Sequence, residues 1–158
     1  MIKTTVTGAN EAIEAINKAI NDFITDEFVT VGIHEEAGTH DETGINNAQL
    51  GAIQEFGTDN GRIPPRPWLV PGVNSGNEEY LKIITDAAEK QQPLSGALEQ
   101  VGVVAASKVQ IYMTELKTPP NAPSTIKKKG SSNPLIDTGE LRSSVTYKVT
   151  NTKPTEGL

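Results

Sequence analysis

A chain of 158 residues suits one domain with a modest core, and with 35% hydrophobic but only 4% aromatic residues that core has to be built from Ile, Val, Leu and Ala. The complete lack of cysteine excludes disulfides, thiol nucleophiles and thiolate-held metals. A formal net charge of −6 speaks against gripping nucleic acid over a broad surface, which depends on Lys and Arg displacing counterions, without excluding DNA nearby.

The opening MIKTTVTGANEAIEAI has no apolar signal core, and no run approaches the roughly 18 apolar residues of a membrane span. The expectation is a soluble protein made in the cytoplasm, with no membrane partner. Residues 1–9 are a candidate short strand, with Ile2 and Val6 as sparse apolar positions. From Asn10, a candidate cap, Ile13, Ile16, Ile20, Phe23 and Ile24 form one stripe of a helix over residues 10–25, expected to pack on the core. Phe28 to His34 reads as a strand, with Val29, Val31 and Ile33 on one face. The acidic loop from His34 to Gly44 holds both histidines, but His34 and His40 are six apart and no calcium-loop pattern is present, so no metal is expected.

Asn46 or Asn47 caps a helix through NAQLGAIQEF, which Gly57 stops. Its apolar set is Ala48, Leu50, Ala52, Ile53 and Phe56. Three prolines then hold the segment Ile63 to Trp68 extended, with Arg66 between two of them and beside the only tryptophan. Arg and Trp are enriched at interface hot spots, so Arg66 and Trp68 are candidate contacts. The competing reading puts Trp68 in the core and pairs Arg66 with a local carboxylate.

Ser75 with Glu78 forms a capping box for a helix near 78–91. Ser95 caps the longest helix, near 96–117, whose middle from Gly102 to Ser107 is small and apolar. Small side chains allow close approach, which favours a central helix over a subunit contact. Pro119, Pro120 and Pro123 end it and aim the chain outward. Ser124 can cap a short turn through Lys127, Lys128 and Lys129, which Gly130 stops. Asp137 or Thr138 can cap another turn carrying Leu141 and Arg142. A strand over 144–150 follows, with Val145, Tyr147 and Val149 alternating with polar residues. The reading is α+β: a small, mainly antiparallel sheet covered by the helices near 10–25, 78–91 and 96–117, with extended proline-rich arms. Residues 1–150 form the domain and 151–158 a loose tail.

Three stretches stand in order: Ala52 to Thr58 (AIQEFGT), Ile63 to Trp68 (IPPRPW) and Asn133 to Ser143 (NPLIDTGELRS). With them the chain, over roughly residues 28–149, resembles the tail-completion (head–tail joining) proteins of tailed bacteriophages, the first motif in a looser form. The resemblance implies a virion structural protein of the neck. It would assemble as a ring, hexameric by that likeness, between a head-closure ring and the tail terminator or tail tube, with DNA passing through the lumen without sequence-specific binding. The proposed interface residues are Phe56, Ile63, Pro65, Arg66, Trp68, Pro123, Lys127, Lys128, Lys129, Leu135, Asp137, Leu141 and Arg142.

No nucleophile elbow or phosphate loop is present, and adjacent carboxylates such as Glu35 with Glu36 point apart. The expectation is therefore no enzyme, no cofactor and no catalytic residue. A tail terminator or minor tail protein is the alternative within the same class. The basic concentration of Lys127–Lys129 with Arg142 and Lys148 leaves a small DNA-binding module as the distant one.

Overall fold

In chain order the elements are α1 (Ala9–Phe23), β1 (Phe28–Gly32), α2 (Asn47–Phe56), α3 (Leu69–Asn74), α4 (Asn77–Glu89), α5 (Leu94–Glu115), α6 (Pro123–Lys129), α7 (Glu140–Ser143) and β2 (Thr146–Thr150). This computed structural model describes residues 9–34, 38 and 44–152. The expected strand over residues 1–9, most of the acidic loop and the tail beyond residue 152 lie outside the described residues.

The organising element is α5. Its Ala97, Gly102, Ala105, Ala106, Val109 and Met113 are buried, and α3, α4, β1 and β2 all pack against it. Small residues make that possible: a Cβ at Gly102 would run into the ring of Tyr147 on β2. The small apolar stretch is thus a central helix. The sheet is a two-stranded antiparallel ribbon in the register Phe28↔Thr150 to Gly32↔Thr146. Val145 is buried and Tyr147 and Val149 half-buried, whereas Thr146 and Lys148 are exposed, as alternation requires. A lone two-stranded ribbon is marginal in water, so α5 is what stabilises it. The fold is a small α+β one, as the pattern of elements indicates.

The core joins Trp68, Val109, Met113, Leu135, Leu141 and Val145, with Val31, Ile33, Leu50, Leu69, Val73 and Leu116 packed around it. One aromatic side chain therefore sits inside an otherwise aliphatic interior.

Asn46 caps α2, its side chain accepting from the Ala48 N–H at 2.7 Å, and Gly57 and Gly130 end their helices at φ 77° and 70°. Other caps differ from expectation. The Ser75–Glu78 box is absent because an unforeseen helix, α3, already runs up to Ser75, whose hydroxyl donates back to the Gly72 carbonyl at 2.6 Å. Helix α5 starts at Leu94, so Ser95 lies within its first turn and Pro93 supplies the extended residue before it. Pro123 opens α6 and Ser124 is interior to it; a proline in the first turn sacrifices no helical hydrogen bond. Gly139 precedes α7 without a side-chain cap, although the Thr138 hydroxyl accepts from the Glu140 N–H at 3.3 Å.

The largest departure is α1. It forms as a helix, but Ile13, Ile16, Ile20 and Ile24 are 55%, 58%, 48% and 57% exposed. The isoleucines of the stripe expected to face the core are therefore left open, and only Phe23 at its end is half-buried.

Candidate functional site

The segment between α2 and α3 is shaped by Gly57. Its φ of 77° is left-handed, and a Cβ there would lie 2.6 Å from the Ile63 carbonyl oxygen, so both conformation and space require glycine. The loop beyond it closes when the Thr58 N–H donates to the Ile63 carbonyl and the Ile63 N–H to the Thr58 hydroxyl, both at 3.0 Å. The Arg66 N–H then donates to the Gln54 carbonyl at 2.7 Å. The arm therefore folds back along α2.

Arg66 is 4% exposed. Its Nε donates to the Pro119 carbonyl at 2.8 Å, Nη1 to Gln54 Oε1 at 3.0 Å, and Nη2 to the Pro120 carbonyl and Asn121 Oδ1 at 3.2 Å each. Prolines cannot donate, but their carbonyls remain free to accept, and the planar fork of a guanidinium reaches several at once. Burial lowers the Arg66 pKa from its ordinary value. The carboxylate partner of the competing reading is replaced by neutral oxygens, three from the start of the second proline-rich arm and one from Gln54 on α2.

The carboxylate near this arm serves another purpose. Glu55, 6% exposed, accepts from the Trp68 N–H at 2.6 Å and the Leu69 N–H at 3.0 Å. Those are amides at the start of α3, so a side chain on α2 supplies the cap that α3 lacks locally. The Trp68 indole N–H donates to the Gly51 carbonyl at 3.0 Å, which satisfies the one polar atom of a buried tryptophan.

The third motif closes the assembly. Asn133 Oδ1 accepts from the Leu135 and Ile136 N–H groups at 3.0 and 3.1 Å, and its Nδ2 donates to the Thr114 carbonyl on α5 at 2.8 Å. Leu135 and Leu141 thereby enter the core beside Trp68. The Asn133 carbonyl accepts from Asn121 Nδ2 and Lys129 Nζ, both at 3.3 Å. Burial lowers the Lys129 pKa, with nearby Asp137 opposing and Arg66 reinforcing that shift. Asn47 Nδ2 donates to Glu140 Oε1 at 3.2 Å, tying α2 to α7.

The proposed interface residues therefore divide. Phe56, Pro65, Pro123, Lys127, Lys128 and Asp137 are exposed, and Ile63, Lys129 and Arg142 half-buried. Arg66, Trp68, Leu135 and Leu141 are buried within the subunit, which corrects their place as surface contacts: they hold the arms, and only the arms' outer residues face outward. Sequence reasoning passed over Glu55, Gln54, Asn121 and Asn133. The available signal was their place inside or beside the three motifs, since a charged or amide residue flanked by fixed backbone is well set to bond it.

Two surface depressions flank this clamp. One, about 560 Å³, is an open apolar groove walled by β1, α2 and α3 through residues such as Val29, Val31, Ala48, Ala52, Leu69 and Val70. The other, about 450 Å³, is a mixed cleft between α2, α6 and α7 that includes Gln54, Asn121, Lys128, Lys129 and Asp137. Among the described residues no group of three or more His, Asp and Glu is placed to hold a metal ion, and no helix is long and apolar enough to cross a membrane. His34 sits against the ribbon, its ring nitrogens 3.2 Å from the Thr30 hydroxyl and 2.9 Å from that of Thr146.

Comparison of the chain with protein-family models, with curated proteins and with solved structures gives no match.

Proposed function

We propose that this chain is a structural protein of a bacteriophage neck, a tail-completion or head–tail joining subunit that closes a ring between the head-closure ring and the tail. The observation that carries the reading is the meeting of the three ordered motifs in one clamp. Glu55 of the first holds Trp68 of the second, Trp68 packs with Leu135 and Leu141 of the third, and Arg66 anchors the arm that leads to it. Motifs far apart in sequence that interlock in space describe a shared subunit architecture, and that is what a resemblance built on them requires. Both buried charged side chains among the described residues, Glu55 and Arg66, are engaged in holding backbone, which fits a protein that acts by shape.

The negative charge favours a duplex sliding through the lumen over one held there, and the exposed Lys127 and Lys128 face a partner ring or passing phosphate. The ring is hexameric on the family likeness. Electron microscopy of particles grown without the protein tests the reading. Filled heads beside detached tails of normal length are expected. Overlong tails would move the assignment to the tail terminator, and normal virions would remove it.

A further inference from the structure

Helix α1 has two properties that do not belong together in a finished subunit. It is 15 residues long, near the lower limit for a helix stable on its own in water. Its apolar residues Ile13, Ile16, Ile20 and Phe23 recur at intervals of three, four and three, the spacing of a packed seam. Yet Ile13, Ile16 and Ile20 are 55%, 58% and 48% exposed, and contiguous exposed apolar side chains of this kind mark an interaction site.

The same chain carries the matching surface. The groove of about 560 Å³ between β1, α2 and α3 is lined mainly by aliphatic side chains, with Val70 still 48% exposed at its edge. Only residues 24–27 separate α1 from the groove wall β1, and docking within one chain would carry no concentration cost, yet the helix stays off its own groove. Charge does not oppose docking on another copy. The polar face of α1 carries Glu11, Glu14 and Asp22 against Lys18, and the linker after it carries Asp26 and Glu27, while the one carboxylate lining the groove among the described residues, Glu55, is turned inward to two backbone N–H groups. Pairing α1 with another α1 would bury fewer than two heptads, too short a seam to hold, and would leave the groove wet.

We infer that α1 of one subunit docks its isoleucine stripe into the groove between β1, α2 and α3 of the next copy. The contact joins two different patches, so it repeats head to tail and closes a ring where the rotation allows. This rests on the reading of the chain as a ring subunit and names the contact that makes the ring.

The native chain has no cysteine, so single cysteines report the contact cleanly. Purified full-length Ile16→Cys and Val70→Cys chains are mixed at high concentration and oxidised, with Ile16→Cys plus Lys82→Cys, an exposed α4 position, as control. Thermal melts of the reduced variants establish that they are folded. The expected result is a mixed disulfide between positions 16 and 70 at least ten-fold above the control, abolished when Ile13→Asp and Ile20→Asp are added to the Ile16→Cys chain. A yield equal to the control, a dominant 16-to-16 disulfide, or an intramolecular disulfide in an Ile16→Cys/Val70→Cys chain overturns the inference. The outcome is separable from the neck reading: rings in particles without this cross-link would sink the contact alone, and a strong cross-link in a protein missing from virions would sink the neck alone.

Discussion

Arg66 and Trp68 show how residues typical of interfaces can serve the interior instead. Between prolines, an arginine beside a tryptophan has the look of a surface anchor, but the same stiff backbone that would present it outward instead fixes it over Pro119, Pro120 and Asn121. Arg66→Ala strands four partly buried oxygens, and because hydrogen bonds to charged groups are the stronger kind it is expected to destabilise the fold by about 2–3 kcal/mol. Arg66→Lys keeps the charge without the fork and should recover less than half of that. Urea denaturation midpoints check both, and wild-type stability in Arg66→Ala would contradict the clamp. Deleting residues 119–134 removes three of the four side-chain acceptors of Arg66 and the whole of α6, so loss of joining in that variant would report misfolding. The informative pair is Lys127→Glu with Lys128→Glu: both side chains are exposed, stability should stay within about 0.5 kcal/mol, and a joining defect would then belong to the surface.

At the scale of elements, exposure separates two helices that the sequence describes in the same way. Both α1 and α5 carry apolar residues at helical spacing, but Met113 on α5 is 0% exposed and Ile16 on α1 is 58% exposed. Met113→Ala should cost about 2–5 kcal/mol and Ile16→Asp less than about 0.5 kcal/mol, read by the same denaturation series on dilute protein. A second expectation concerns pH. Tyr80 donates to the Val73 carbonyl at 2.8 Å, and its pKa is raised above the ordinary 10.0 by burial and then by Glu79. Tyr147 is raised by a hydrogen bond to Glu99, by burial and by that residue's charge. A raised tyrosine pKa favours the protonated form in the fold, so its contribution is complete below pH 10 and lost as pH climbs through the folded value. Thermal melts should fall above pH 10 and fall less steeply in Tyr80→Phe; an unchanged slope would contradict this.

The elements were legible where a local signal had no competitor. Asn46, Gly57 and Gly130 end helices by their own chemistry, and the alternation of Val145, Tyr147 and Val149 had one interpretation. Helix α3 was not legible, because Pro71 and Gly72 disguise it and its capping carboxylate, Glu55, comes from another helix. Nor could periodicity tell the buried stripe of α5 from the bare stripe of α1, since the spacing says that a face is apolar and not what covers it. The clamp was half legible: the motifs marked its residues, but whether Arg66 turned inward depended on carbonyls more than fifty positions away, and the burial of Trp68 on the distant side chains Leu135 and Leu141.

For the whole molecule, the interior is spent on holding the arms, and the outer face is the one proposed to meet neighbours. Trp68, Leu135 and Leu141 lock three separated segments together, while α1 offers an apolar stripe and the groove beside β1 offers its complement. The proposed contact is heterologous, and such contacts close a ring only where the rotation closes. The most direct measurement is the location of this protein in purified tailed particles, by electron microscopy with a labelled antibody. A single focus of label at the junction of head and tail is the result predicted; label spread along the tail, or particles that infect normally without carrying the protein at all, would contradict the account.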